Sequence, residues 1–179
     1  MRINAGKYRN HNIEMTNLET TRETSDKVRQ AIFNLIGQFF DGEVVLDLFA
    51  GSGAMGLEAI SRGACEAYFN DINKQAIETV KRNVLKLKVL EQCDLKNMDF
   101  KDYLTSINRL FDIIFLDPPY KMNNVDEILS LIYQYKLLKS KGIIAFEMES
   151  QTNPDSKYYK IIKDRSYGIK RVVIYKEEI

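Results

Sequence analysis

The sequence lacks tryptophan and holds only two cysteines, one histidine and three prolines among its 179 residues. Two cysteines, Cys65 and Cys93, cannot supply the disulfide framework of a small secreted domain, so the sequence indicates a reducing compartment. The single histidine, His11, argues against acid–base catalysis by histidine. No cluster of metal-ligand residues is visible, so we predict no metal site.

Net charge and long hydrophobic runs are equally scarce. The 26 Lys and Arg residues nearly balance the 25 Asp and Glu residues, and the net charge is +1. This balance excludes a strongly basic coat for nucleic acid but not a local basic face. No apolar leader follows Met1 and no run is long enough to span a bilayer. We therefore expect a soluble cytoplasmic monomer without membrane contacts.

The chain divides into an N-terminal extension, residues 1–40, and a longer unit, residues 41–179. Residues 1–23 hold scattered basic residues among Asn and Thr, with no sustained hydrophobic period. From Ser25 to Phe40 the apolar residues follow the spacing of one helix face, and Asp26 suits the positive end of a helix. We therefore predict that an amphipathic helix closes the extension.

Beyond Gly42, segments with strand and helix character alternate, which predicts a parallel sheet covered by helices on both faces. The last two strand candidates, joined at Tyr167-Gly168, indicate an antiparallel hairpin at one sheet edge. The prediction is an α/β fold with a mostly parallel sheet of seven strands. The predicted strands span residues 44–49, 66–69, 94–97, 111–116, 143–148, 158–164 and 170–176. The predicted helices of this unit span residues 55–61, 74–87, 100–108 and 125–138.

A glycine-rich turn follows the first predicted strand. Gly51, Gly53 and Gly56 form the pattern GxGxxG, and Asp71 lies about 20 residues downstream, where the ribose of a nucleotide would be held. Glycines allow a sharp turn and the close approach of a ligand, and ligands of open parallel sheets bind at this edge. The pattern alone is weak, and a tight turn without a ligand is the alternative.

Asp47, at the end of the first strand, narrows the choice of nucleotide. A carboxylate here would repel the pyrophosphate of NAD, whereas it suits a ligand with an ammonium or sulfonium charge. The chain is also too short for the separate substrate lobe of most dehydrogenases. We therefore predict S-adenosylmethionine as cofactor, with Asp71 accepting hydrogen bonds from its ribose hydroxyls. A solvated acid at a strand end is the alternative for Asp71.

The segment after the third predicted strand completes this cofactor site. Asp99 would meet the adenine amino group, while its neighbours Met98 and Phe100 pack against the ring. An equally good interpretation of Asp99 is a helix N-cap before Phe100. Phe49 and Ile72, beside the glycine turn and Asp71, are also assigned to cofactor binding.

The stretch Asp117-Pro118-Pro119-Tyr120 directly follows the apolar run 111–116. Two prolines end a strand because they cannot donate to its ladder, and they fix the backbone. Asp117 and the Pro118 carbonyl can then accept hydrogen bonds from an amino group, and Tyr120 can stack on a base. The stretch resembles the (Asp/Asn)-Pro-Pro-aromatic motif of methyltransferases that modify exocyclic amino groups. We assign Asp117, Pro118 and Tyr120 as catalytic, and Tyr120 also as substrate-binding.

Four segments together resemble the bacterial 16S rRNA guanine-N2-methyltransferase family (RsmD type): residues 2–8, 21–34, 47–56 and 111–120. The resemblance implies a Rossmann-like class I methyltransferase fold with a small N-terminal extension. It also implies methyl transfer to N2 of one guanine of 16S rRNA, with an assembling small ribosomal subunit as partner. This chain departs from the family at Glu23, where Pro is common, and at Asn73, where a second acid is common.

Basic residues of the extension form a candidate RNA surface. Arg2, Lys7, Arg22 and Arg29 are predicted to contact phosphates, which position RNA without specifying its sequence. Acidic residues of the same segment offset most of this charge, so an ordinary solvated surface is the alternative.

Two other classes of function stay open on the sequence alone. One is a DNA or protein amino methyltransferase that uses the same Asp-Pro-Pro-Tyr chemistry. Against DNA, the chain holds no large region that would enclose a flipped base. The other is a noncatalytic ribosome-assembly binder. Against it argue the intact Gly51, Gly53, Asp71, Asp117 and Tyr120.

Overall fold

The computed structural model describes residues 1–17, 25–119, 122 and 125–177, and its centre is a seven-stranded sheet in the order β3-β2-β1-β4-β5-β7-β6. The strands are β1 (Val44–Asp47), β2 (Glu66–Asn70), β3 (Cys93–Lys96), β4 (Phe111–Leu116), β5 (Leu138–Glu149), β6 (Tyr159–Tyr167) and β7 (Lys170–Glu177). The helices are α1 (Asp26–Ile36), α2 (Ala54–Ser61), α3 (Lys74–Leu87), α4 (Phe100–Ser106) and α5 (Val125–Gln134), with a short 3-10 turn at Leu90–Gln92.

The predicted α/β architecture is confirmed, including the antiparallel hairpin. β1 to β5 pair in parallel, while β7 pairs antiparallel with both β5 and β6. Three helices, α1, α4 and α5, end earlier than predicted, and α4 stops at Ser106. α1 stops at Ile36 because Gly37 adopts φ 120°, and Phe39 beyond it is 66% exposed. α5 stops at Gln134, and Leu138 opens β5 instead of closing a helix.

Helices cover both faces of the sheet and create two cores. Successive residues of a strand point to opposite faces, so β4 contributes to both. Ile113 and Phe115 pack with α1, α2 and α3, whereas Ile114 and Leu116 pack with α4 and α5. Full burial of such side chains stabilises the fold by about 1.5–3 kcal/mol each, which explains the nearly uniform apolar character of the central strands.

Residues 1–13 form a hairpin, here called the N-terminal hairpin, where the sequence shows no hydrophobic period. The Ile3 N–H donates to the His11 carbonyl at 3.0 Å, and the Ile13 N–H donates to the Met1 carbonyl at 3.0 Å. Ile3 and Ile13 are both buried in the core under α1, α2 and α3. The extension is therefore packed against the sheet domain from its first residues.

The second half of α2 receives the N-terminal hairpin. Glu58, fully buried, accepts hydrogen bonds from the N–H groups of Asn4 at 2.9 Å and Ala5 at 3.0 Å. Gly6 adopts φ 83°, and a Cβ there would lie 1.8 Å from the carbonyl oxygen of Ser61. Only glycine fits this contact, so part of the family-like segment 2–8 has a structural purpose.

In the described parts of the chain, no helix is both long and apolar enough to cross a membrane.

Candidate active site

The glycine loop, residues 48–53, joins β1 to α2 at the carboxyl edge of the parallel strands. The Ala50 N–H donates to the Asn70 carbonyl at 2.9 Å, which holds the loop against β2. Gly51 and Gly53 adopt φ values of 55° and 82°, a region that glycine enters without strain. The loop thus lies at the edge where ligands of such sheets bind.

Asp47 fastens the start of α2 to the end of β1. Its carboxylate, 4% exposed, accepts a 3.1 Å hydrogen bond from the Gly56 N–H. Gly53, the N-cap, makes no side-chain capping bond, so Asp47 satisfies a donor of the first helical turn in its place. Gly56 itself faces Phe69, because a Cβ there would lie 2.3 Å from the ring. The third glycine of the pattern therefore serves packing between helix and sheet.

Asp71 lies directly after β2 and is held from two sides. One oxygen accepts from the Gly51 N–H at 3.0 Å and the other from the Asn73 N–H at 2.8 Å. Burial raises the pKa of Asp71, and the hydrogen bonds from Asn73 and Gly51 oppose that rise. Two carboxylate oxygens offer about four acceptor positions, so the side chain can still receive ribose hydroxyls.

The predicted adenine end lies on the next loop of the same edge. Asp99 is the N-cap of α4, where its side chain accepts from the Lys101 N–H at 2.9 Å, so its helix-cap interpretation holds. The rings of Phe49 and Phe100 lie 5.7 Å apart, and Met98 packs beside them. Ile72 is 70% exposed. Phe49 is half-buried and Phe100 is buried, so Ile72 is the exposed apolar residue of this group.

Asp117, Pro118 and Pro119 leave the sheet at the end of β4. They line one pocket together with Met122 and with Glu147 of β5. The Met122 N–H donates to the Pro119 carbonyl at 2.8 Å, which turns the chain back toward the pocket. The predicted Tyr120 lies outside the described residues.

The register of the sheet brings the two motifs side by side. β1 and β4 are neighbours, and Asp47 pairs with Phe115. Asp117 therefore follows two residues beyond the pair, or about 7 Å along the strand direction, beside the start of the glycine loop. A ligand lying on the glycine loop would present its near end to Asp117 and Pro118.

Glu147 and Lys170 form a charged pair beside this pocket. Glu147 is 3% exposed, and Lys170, the first residue of β7, donates to its carboxylate. Burying a carboxylate is costly unless it is paired, and Lys170 provides that partner at the same edge as Asp117. The sequence does not indicate this ion pair, because Glu147 and Lys170 belong to different strands.

Arg29 does not lie on the predicted basic face. Its side chain is fully buried, 3.6 Å from the Glu58 carboxylate, and it donates to the Arg2 carbonyl at 2.6 Å. Arg62, also buried, pairs with Glu58 at 2.8 Å. The Arg29 guanidinium therefore holds α1, α2 and the N-terminal hairpin together and is not available to RNA phosphates. Its prediction as a substrate contact is wrong.

The other predicted RNA contacts differ in position. Arg2 and Lys7 are exposed, and Arg22 lies outside the described residues. The Lys7 N–H donates to the carbonyl of Ser61, the last residue of α2, at 2.8 Å. The glycine loop lies at the other end of this helix, about 12 Å away at 1.5 Å per residue. Lys7 therefore lies at the end of α2 that is farther from the glycine loop.

Glu58 and Asn83 are among the buried polar residues that the sequence did not single out. Glu58 stands among apolar neighbours in α2, and Asn83 interrupts the apolar face of α3. A polar residue at a buried helical position is the signal that finds both, because such a group must be bonded. Across residues 1–17, 25–119, 122 and 125–177, no three His, Cys, Asp or Glu side chains converge as metal ligands would.

Known proteins resemble this chain over nearly its whole length. The model of the family described as conserved hypothetical protein 95 matches residues 1–176. YlbH of Bacillus subtilis (strain 168) is 36% identical over 182 residues, covering 99% of each chain. Ribosomal RNA small subunit methyltransferase D of Haemophilus influenzae is 32% identical over 181 residues, covering 98% of this chain and 93% of that protein.

Solved structures confirm the predicted Rossmann-like class I methyltransferase fold. The Escherichia coli protein yhhF superimposes with a TM-score of 0.87 at 26% identity, over 99% of this chain and 98% of that one. The match includes the extension, the parallel strands and the antiparallel hairpin, since almost no residue of either chain is left over. The chain therefore belongs to the conserved hypothetical protein 95 family, the family of the RsmD-type methyltransferases.

Proposed function

We propose that this protein transfers a methyl group from S-adenosylmethionine to N2 of a guanine in 16S rRNA. The observation that carries the proposal is the adjacency of the glycine loop and Asp117-Pro118 on neighbouring strands β1 and β4. The glycine loop would allow the close approach of a nucleotide-like ligand, and Asp117-Pro118 would accept hydrogen bonds from an amino group. Membership of a family that includes a small-subunit rRNA methyltransferase favours rRNA as the substrate class.

The residues at the glycine loop fit S-adenosylmethionine. Asp71 keeps acceptor positions for ribose hydroxyls, although its two oxygens already receive Gly51 and Asn73. Ile72, Phe49 and Phe100 would enclose the adenine, with Met98 beside them. Because Asp99 already caps α4, its contribution to adenine binding would come from the second carboxylate oxygen. When bound, the cofactor supplies a methyl group on a positively charged sulfur.

The Asp117-Pro118 segment would orient the amino group that receives the methyl. The Asp117 carboxylate and the Pro118 carbonyl accept its two N–H bonds, which directs the nitrogen lone pair toward the glycine-loop side. The prolines hold both acceptors rigidly, so little reorganisation is needed during the reaction. Tyr120 would stack on the base and retain it outside its helix.

RNA contacts beyond the target base are proposed for the exposed residues of the extension. Arg2, Arg22 and Lys7 would bind phosphates of the rRNA, and Arg29 is omitted because it is buried. The distance of Lys7 from the glycine loop implies that RNA would run along α2 away from the methylated base. A substrate of that extent is natural for an assembling small ribosomal subunit.

Incubation of the protein with radiolabelled S-adenosylmethionine tests the proposal directly. The acceptors are small ribosomal subunits that lack the modification, free 16S rRNA, DNA and ribosomal proteins. We expect label in rRNA, recovered as N2-methylguanosine after digestion to nucleosides. Label in DNA or protein would support the other amino methyltransferases, and cofactor binding without transfer to any acceptor would support a noncatalytic binder.

A further inference from the structure

One buried amide, that of Asn83 in α3, joins the N-terminal extension to the glycine loop. Its Oδ1 accepts a 2.7 Å hydrogen bond from the Glu14 N–H, and its Nδ2 donates to the Glu14 carbonyl at 2.9 Å. The side chain thus pairs with the backbone of residue 14 on both sides, as a neighbouring strand would. Glu14 directly follows the N-terminal hairpin, so this pair holds the next part of the extension against α3.

The same Nδ2 also donates to the Ser52 carbonyl at 2.9 Å. Ser52 lies in the glycine loop between Gly51 and Gly53, and it is 1% exposed. Asn83 is fully buried, so water does not substitute for these bonds. The carbonyl groups of Glu14 and Ser52, which are far apart in the sequence, therefore share the Nδ2 amino group of Asn83 as their donor.

The chemistry of the position requires an amide. Asn83 lies on the buried face of α3 with Val80 and Val84, where an apolar side chain would gain burial energy. A carboxylate of the same shape could accept from the Glu14 N–H but could donate to neither carbonyl. The Asn83 amide makes three hydrogen bonds, two to the extension and one to the loop. Its position is therefore explained by the two segments that it connects.

The loop is held on its other side by Asp71. Asp71 accepts a hydrogen bond from the Gly51 N–H. Asn83 donates to the carbonyl of the next residue, Ser52. The peptide groups that would face the cofactor thus lie between the side chain of Asp71, directly after β2, and the side chain of Asn83 on α3. Release of either anchor would let the loop leave the geometry that the ligand needs.

We propose that Asn83 is a positioning residue that makes the cofactor-binding shape of the glycine loop depend on the N-terminal extension. The inference rests on the proposed function in taking S-adenosylmethionine as the ligand of the loop. Asn83 does not touch the ligand and acts through Ser52. Because such coupling is reciprocal, any contact that orders residue 14 should strengthen cofactor binding. Bound cofactor should in turn order the extension around residue 14.

The test compares Asn83→Asp with Arg82→Ala in the full chain. Asn83→Asp keeps the shape but removes both donors and sets a carboxylate against two carbonyl oxygens. Arg82→Ala breaks the half-exposed Arg82–Glu14 ion pair, which joins α3 to the extension but does not reach the glycine loop. Calorimetric titration with S-adenosylmethionine should give binding about tenfold weaker or more for Asn83→Asp and within about twofold of wild type for Arg82→Ala.

Amide hydrogen exchange tests the link without any cofactor. In Asn83→Asp, exchange should rise together in residues 12–17 and in residues 50–56, whereas Arg82→Ala should raise it only in residues 12–17. If Asn83→Asp does not fold, Asn83→Ala replaces it. Unchanged exchange in residues 50–56 together with unchanged cofactor affinity would overturn the inference. Failure of the wild type to bind S-adenosylmethionine would instead overturn the proposed function, and the exchange result would still decide whether Asn83 links the two segments.

Discussion

The backbone N–H of Gly51 donates a 3.0 Å hydrogen bond to the carboxylate of Asp71, so the end of β2 shapes the loop that follows β1. This relationship gives Asp71 two tasks. It fixes the loop and, in the proposed function, would offer its remaining acceptor positions to the ligand. Mutations at this position therefore act on both.

Replacement of Asp71 separates the two tasks. Asp71→Ala should weaken S-adenosylmethionine binding about tenfold to a hundredfold, because hydrogen bonds to a charged acceptor contribute about 1.5–3 kcal/mol. Asp71→Asn retains one oxygen for Gly51 and should lose less affinity than Asp71→Ala. Titration calorimetry measures both variants, with thermal unfolding as the control for folding. Wild-type affinity in Asp71→Ala would remove this residue from the cofactor site.

The pH dependence of cofactor binding follows from the raised pKa of Asp71. Burial raises this pKa above its ordinary value of 3.8, against the hydrogen bonds from Asn73 and Gly51. Ribose hydroxyls need the charged carboxylate, so affinity should fall as the pH drops through the raised pKa, and at a higher pH than for an exposed aspartate. The stability contribution has the opposite sense, because the protonated form is favoured by folding and that gain is lost as the pH rises through the same pKa.

Titrations of wild type and Asp71→Asn over the same acidic range measure this effect. The decline that belongs to Asp71 should be absent from the variant. An identical pH profile for the two proteins would assign the decline to another group.

Asp117→Ala should lower the turnover number for rRNA methylation about a hundredfold to a thousandfold. The removal of one well-oriented polar group that acts in the transition state costs about 2.7–4 kcal/mol. Asp112→Asn, at the opposite end of β4, is the matched control, since its carboxylate serves Val44 and Lys139 away from the pocket. Methylation at the wild-type rate by a folded, cofactor-binding Asp117→Ala would mean that the two prolines only end a strand.

Glu58→Gln should destabilise the protein by about 3–5 kcal/mol, because it leaves the buried Arg62 without its carboxylate partner and Arg29 with only the exposed Asp26. Glu14→Gln, which breaks the half-exposed pair with Arg82, should cost at most about 1 kcal/mol. Urea unfolding followed by circular dichroism measures both free energies. Equal losses in the two variants would contradict a special role for the buried network.

Neutralising Arg2, Lys7 and Arg22 together should weaken rRNA binding and reduce its salt dependence. Each lost phosphate contact should lower the slope of log affinity against log salt by about 0.7–0.9. A double variant, Lys136→Gln with Lys141→Gln, removes exposed charge next to the start of β5, away from the glycine loop, and should leave the slope unchanged. Cofactor affinity should stay at the wild-type value in both proteins. A wild-type slope in the triple variant would identify an ordinary solvated surface.

The parts of the fold that depend on local pattern could be predicted from the sequence. β4 begins at Phe111 and ends at Leu116 as predicted, because an apolar run and two prolines define both ends. The N-terminal hairpin could not be predicted, since its backbone bonds to Glu58 and Ser61, more than fifty residues along the chain. A local hydrophobic period cannot identify partners that lie so far away in the sequence.

The positive charge of Arg29 suggested a phosphate contact, whereas its position in the helical period predicts burial. Arg29, Ile32, Phe33 and Ile36 have the spacing of one helix face, which is the buried face of α1. A charged residue on such a face predicts a buried partner more strongly than a phosphate contact. The partner itself, Glu58, was beyond prediction because it belongs to a different helix.

The position of β7 between β5 and β6 decides how the molecule opens. β6 reaches the sheet only through its ladder with β7, so separation of β5 from β7 would release both strands as one cooperative unit. That separation would also withdraw Lys170 from Glu147 and leave a buried carboxylate without its cation beside Asp117. The cost of leaving Glu147 unpaired therefore opposes the separation of β7 from β5, and the edge of the sheet beside Asp117 should resist fraying more than the hairpin hydrogen bonds alone would achieve.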